Sequence, residues 1–244
     1  MFNTIRAEFR KLLTVRSTYI TSGLALALSL FFSYYSDGHN GDIINGRGYA
    51  DLTNTLHSAA VVISIFSAII IMLLVLHEYR YNTILYSLTS TNNRLKFMFA
   101  KVFVSIVYVI VFSAIIFGAS MLAAYIGLNT NARYIGLVHP DIWLNVWTIA
   151  FYICGFALFA LLIAFLTRNQ TASIAILLIA PTTIEPLVNL LFKSHTIHLP
   201  FTTLANVIMS GGPDSPTKSA GIVVIYLVVG WLAAVVLFLR RDAN

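Results

Sequence analysis

Long apolar runs alternate with short polar ones along this chain. Six runs stand out: Thr18–Tyr35, Leu56–Leu76, Val102–Ile126, Asn145–Leu166, Thr171–Phe192 and Ala220–Leu239. Each meets or approaches the roughly 20 residues that carry a helix across the hydrocarbon core. The pattern predicts an all-α polytopic membrane protein: six transmembrane helices in one transmembrane domain over residues 1–244, with no internal repeat. Glu185 is the one formally charged residue within the six runs.

The polar stretches carry patterns of their own. In residues 1–17, Phe2, Ile5, Phe9, Leu12 and Leu13 share one arc of a helical wheel, and Arg6, Arg10 and Lys11 lie off it. That predicts an amphipathic interfacial helix with its cations toward lipid headgroups. Residues 77–101 read HEYRYNTILYSLTSTNNRLKFMFAK, basic and too regular for a plain loop. Ile84, Leu85 and Leu88 have helix spacing. Asn82 and Thr83 before them, and Asn92 and Asn93 after them, are residue types that cap helices. The segment therefore predicts helix end, short helix, helix start, and a docking surface. The link Thr167–Gln170 is short enough to force an antiparallel hairpin of the fourth and fifth spans.

The fifth run is irregular. Pro181 and Pro186 each remove a backbone donor, and Glu185 sits between them. Such irregularity is tolerated where protein or a wet cavity surrounds it. We expect this span to end early. Residues 193–219 should then send one or two short helices back into the outer leaflet, with Phe201, Leu204, Ala205 and Ile208 at helix spacing. Thr182, Glu185 and Asn189 fall on one helical face. With Thr183, they are the candidate lining of an outer gate.

Composition agrees with the bilayer as solvent: the chain is 59% hydrophobic and 10% charged, against about 25% charged in soluble domains. The net charge of +6 would fit nucleic acid, but placement of the cations explains it better. With the N-terminus inside, only Arg47, Arg133, Lys193 and Lys218 of the 15 Lys and Arg residues fall outside. That bias predicts both termini in the cytoplasm and requires no nucleic acid. The N-terminal stretch lacks the apolar core and small-residue cleavage site of a removed signal peptide. The lone Cys154 lies inside an apolar run and packs as a small hydrophobe.

Catalytic signatures are missing. There is no GxxxxGK[ST] phosphate loop, no HExxH and no GxSxG elbow. Asp37, Asp42 and Asp51 lack the EF-hand spacing. His195 and His198 have no Cys or carboxylate close in sequence to complete a metal site. Ser120 and His57 both fall near outer span ends, a poor arrangement for an intramembrane protease. No metal or cofactor is expected on this chain. The rival classes are a membrane-embedded enzyme and a secondary carrier. A carrier needs ionisable groups at membrane depth, where only Glu185 qualifies.

Three places resemble the membrane subunits of ABC transporters of the type-2 permease family. AEFRKLLTVRSTY is similar to a basic entrance pattern, E-x-x-K-L-x-T-x-R-S. EYRYNTILYSLTSTNNRLKFMFAK is similar to E-x-R-x-G-T…L…R…K after the second span, with Asn82 where glycine is common. The irregular fifth span, followed by Leu199–Pro200 and an amphipathic stretch, looks like the family's outer gate. The resemblance implies a bacterial cytoplasmic-membrane exporter of a drug, peptide or lipid-like compound. Two copies, or two similar permeases, would form the pathway, with the second and fifth spans facing it. Two separate ATPase subunits, which hold ATP and Mg, would dock on the cytoplasmic bridges. On that reading Glu78 and Arg80 hold the bend, Leu85, Tyr86 and Leu88 fill the ATPase groove, and Asn82, Thr83 and Arg94 complete the docking segment.

Overall fold

The computed structural model describes residues 2–35, 43–44, 47–91, 93–130, 136–138, 142–192, 197–209 and 214–240. Ten α-helices occur among them: α1 (Phe2–Thr14), α2 (Arg16–Phe32), α3 (Leu52–Arg80), α4 (Ile84–Thr91), α5 (Arg94–Thr130), α6 (Ile142–Thr167), α7 (Gln170–Ile179), α8 (Glu185–Leu191), α9 (Pro200–Ile208) and α10 (Pro216–Arg240). Five spans, α3, α5, α6, the continuous α7–α8 unit and α10, are long and apolar enough to cross a membrane. The sixth belongs to α1 and α2, which are bent by 65° at Val15. Val15 is extended there, with φ −79° and ψ 122°, so the chain leaves the interfacial direction and turns into the first span. The chain is thus a multi-pass membrane protein.

α3 and α6 form the centre. Their packing is the most extensive in the molecule, and Ala60, Ile63, Ile71, Ile153, Ala160 and Ala164 are sealed within it. Small residues let helix backbones approach where no hydrophobic effect operates between spans. Gly155 of α6 gives room to a neighbour: a Cβ there would lie 2.8 Å from Leu204 Cδ1, so the leucine would have to shift. Gly230 of α10 does the same, with Leu162 Cδ2 at 2.5 Å from the position of its missing Cβ. Polar pairs join α2 to α5, where Ser29 Oγ lies 2.6 Å from Ser120 Oγ and Ser22 Oγ lies 2.9 Å from Tyr108 Oη.

Several boundaries differ from the expected ones. α3 and α5 run well past the apolar runs, leaving little besides a turn and α4 between them. Hydropathy reports where lipid touches a helix, whereas backbone hydrogen bonding continues into polar sequence. The fifth span does not end early. Ala180–Ile184 forms a wide π-helical turn, with Glu185 N–H donating to Ala180 O, and the helix resumes to Leu191. Such a turn accommodates Pro181, which has no N–H to give. Among the described residues one short helix follows this span, within the one or two expected: α9, with Pro200 at its favoured first position. Phe201 rests between Phe156 and Phe159, with ring centroids at 5.4 and 5.3 Å.

The two segments expected to be outer loops contain short strands, β1 (Ile43–Ile44), β2 (Arg47–Asp51) and β3 (Gly136–Val138). β1 pairs antiparallel with β2, and β2 pairs parallel with β3 in the register Tyr49↔Gly136. Asp37, Asp42, Asn92, Lys193, His195 and Arg241 lie outside the described residues.

Packing at the two glycines makes a prediction. Gly155→Val and Gly230→Val should each cost about 1–3 kcal/mol through overpacking, measured by SDS-titrated unfolding of the purified protein. Gly221→Ala, with open space around it, should cost nothing; equal losses at all three positions would contradict the packing account.

Candidate functional site

The bend after α3 is built by backbone bonds. Tyr81 N–H donates to His77 O at 3.0 Å, and Thr83 N–H donates to Glu78 O at 3.0 Å. Asn82 takes φ 53°, the left-handed conformation that asparagine tolerates better than most residues. Thr83 O then accepts from Ser87 N–H at 3.2 Å and opens α4. At the far end Asn93 Oδ1 accepts from Leu95 N–H at 2.9 Å and Lys96 N–H at 3.2 Å, capping α5.

α4 is rooted on one side and bare on the other. Ile84 is buried, and Leu88 packs half-buried against the protein's own core. Leu85 and Tyr86 face outward, 46% and 77% exposed. Leu88 therefore departs from its expected place in a partner's groove. With Ile84 it anchors the helix, because the apolar face of so short a helix must be shared between its support and anything that docks.

Beneath α4 lies a closed set of four charges. Lys101 Nζ, in α5 and 0% exposed, donates to Glu8 Oε2 at 2.7 Å, Glu78 Oε1 at 3.1 Å and Leu74 O at 3.1 Å. Lys11 Nζ donates to Glu8 Oε1 at 2.7 Å, Glu78 Oε1 at 2.6 Å and Ser87 Oγ at 3.1 Å. Two carboxylates and two ammoniums thus join α1, α3, α4 and α5. Lys11 points into this cluster and not toward headgroups, because Glu8, one turn before it on α1, and Glu78 both lie within its reach. Burial pushes the Glu8 carboxyl up, but Lys101 and Lys11 outweigh it and leave its pKa below the ordinary 4.5. Burial pulls Lys11 down, but its bonds to Glu78 and Glu8 leave it above 10.5. Glu8 and Lys11 are therefore both ionised across the neutral range. The stability Glu8 contributes is lost as pH falls through its lowered value, and that of Lys11 as pH rises through its raised value.

Arg80 and Arg94 reach away from the cluster. Arg80 Nη1 donates to Gln170 Oε1 at 3.2 Å, linking α3 to α7. Arg94 Nη1 donates to Phe238 O and Leu239 O, each at 3.2 Å, and satisfies carbonyls at the C-terminus of α10, where a cation is favoured.

The other candidate group divides. Thr182 and Thr183 are exposed at the π-helical turn, and Thr182 Oγ1 donates back to Leu178 O at 2.5 Å. Glu185 is buried. Its carboxylate accepts from Phe201 N–H at 3.0 Å, Thr202 N–H at 2.5 Å and Thr202 Oγ1 at 2.7 Å, so it caps α9 from a neighbouring helix. Asn189 Nδ2 donates to Thr202 Oγ1 at 3.3 Å. Glu185 and Asn189 thus share a face as their spacing predicts, and α9 covers that face.

Glu8, Lys11, Ser87 and Lys101 were not candidates from the sequence. One signal existed: Glu8 is the only acid in the basic N-terminal helix and Glu78 the only acid in the basic bridge. Scarce carboxylates beside an apolar core point to pairing.

Two outcomes are expected here. Lys101→Met should leave two buried carboxylates short of a partner and cost roughly 3–5 kcal/mol in SDS-titrated unfolding. For Glu8→Gln, the gap in thermal midpoint from wild type should be full at neutral pH and close as pH falls below 4.5. A pH-independent gap would mean that Glu8 acts through packing alone. At the other end, Glu185→Gln keeps shape and one acceptor while losing the charge. It should cost about 1–3 kcal/mol and raise hydrogen exchange at the first amides of α9 without affecting α4; unchanged exchange at Phe201 and Thr202 would refute the cap.

Comparison with known proteins follows the same parts of the chain. No curated protein matches it. A family model described as "ABC-2 family transporter protein" matches residues 4–182, from the interfacial helix through the bend and α4 to the π-helical turn. With that match covering well over half of its length, the chain belongs to the ABC-2 transporter family.

Proposed function

We propose that this chain is the permease subunit of an ATP-driven ABC exporter, coupled to a separate ATPase subunit and moving a drug, peptide or lipid-like compound. The observation that carries this reading is α4. Ile84 and Leu88 fix it to the spans, the four-charge cluster holds its base, and Leu85 and Tyr86 stand out as a bare apolar knob. A knob on a rigid base transmits a push from a docked partner. A free loop would absorb it.

On this reading the α4 end is cytoplasmic, both termini are inside the bacterial cytoplasmic membrane, and two copies assemble around the pathway. Glu185 works at the outer mouth by fixing α9 in place, with Thr182 and Thr183 beside it. A secondary carrier is less well supported, because the carboxylate it would use at depth is already committed to three hydrogen bonds.

Two measurements test the reading. Leu85→Glu with Tyr86→Glu should leave the permease folded and abolish co-purification with its co-expressed ATPase subunit; retained co-purification with normal transport would overturn the docking assignment. In a Cys154→Ala background, Thr217→Cys should react with an impermeant thiol reagent applied to intact cells, and Thr89→Cys should not. The reverse pattern would invert the topology.

A further inference from the structure

A second polar feature lies at the α4 end, outside the charge cluster. A cleft of about 770 Å³ opens between the last turn of α3 and the start of α7, within the size range of small-molecule sites. Arg80, Arg168, Asn169, Gln170 and Thr171 form its mouth, and Leu76, Ile174 and Ala175 form its floor. No Asp or Glu lines it among the described residues.

Both guanidiniums are held in position. Arg80 is bonded to Gln170. Arg168 sits at φ 53° in the tight α6–α7 turn, its guanidinium 5.4 Å from the centroid of the Tyr79 ring. Tyr79 also lines the cleft, so the Arg168 guanidinium is held against a ring of the same wall. A pre-positioned pair of arginines is the chemistry that receives a phosphate ester. Depth supplies the second half of the argument. Leu76 lies one turn inward of Arg80, and Ile174 one turn inward of Gln170, so the cleft passes from cationic to apolar along the span direction. A free anion has no use for that floor; an amphiphile has.

We propose that this cleft binds the anionic phosphate headgroup of an amphiphile, with its chain laid against Leu76 and Ile174. The inference does not depend on transport, and binding alone tests it. The full-length protein in neutral detergent would be titrated with dioleoylphosphatidylglycerol, dioleoylphosphatidylcholine and inorganic phosphate, and followed by native mass spectrometry. Phosphatidylglycerol should bind saturably, with the zwitterionic lipid and inorganic phosphate each at least about tenfold weaker.

Thr171→Glu places a carboxylate in the mouth, at a helix start where it favours folding. It should weaken phosphatidylglycerol about tenfold or more, the scale of a lost charge-assisted bond. Arg80→Gln with Arg168→Gln should do the same where the protein is retained. Equal binding of both lipids, or phosphatidylglycerol affinity unchanged in Thr171→Glu, would overturn the site. Inorganic phosphate binding as tightly as the lipid would remove the amphiphile and leave a simple anion site.

Discussion

The contact between Lys101 and the two glutamates constrains everything at the α4 end. A fully buried ammonium costs several kcal/mol to desolvate unless partners surround it. Here a carboxylate from α1, another from α3 and a backbone carbonyl take its three protons. The set closes only if all the helices are in place at once. α1 must lie in the interface with Glu8 turned inward, α3 must extend a turn beyond its apolar run to bring Glu78 level, and α5 must begin early enough to carry Lys101. Buried ion pairs are weak evidence for stability as such. Their geometric demand is strong, and it sets the mutual position of these helices.

α4 inherits that position. Ser87 is bonded to Lys11, so the interfacial helix reaches α4 directly as well as through α3. A load applied to Leu85 and Tyr86 is therefore shared with α1 and α5, while Arg80 and Arg94 tie the neighbouring ends to α7 and α10. On the proposed reading, movement of α4 displaces several spans together.

Much of this was legible in the sequence. The span count, the short helix at Ile84, the cap at Asn93 and the shared face of Glu185 and Asn189 all follow from local rules. Local rules fail where partners are distant. Lys11 looks like one more interfacial cation, because the Glu78 that turns it inward is far along the chain. Leu88 looks like part of a docking surface, because its support lies in the core. Pro181 reads as a break, since periodicity does not distinguish a broken helix from one that widens by a residue and continues. The strands β2 and β3 join two segments separated by two spans, a pairing with no local signature.

Charge scarcity offers a reading that periodicity does not. The chain has three glutamates, Glu8, Glu78 and Glu185, and all are buried. Its aspartates fall in segments between the apolar runs and in the C-terminal tail. In a protein that can solvate so few charges, a glutamate next to an apolar run carries a desolvation cost that only specific donors offset. Each of the three meets that condition at a joint between helices: two share lysines from different segments, and the third accepts the free amides of a helix it does not belong to. The longer side chain spans the gap between packed helices. In an apolar chain of this kind, each glutamate marks a place where separate segments are locked together.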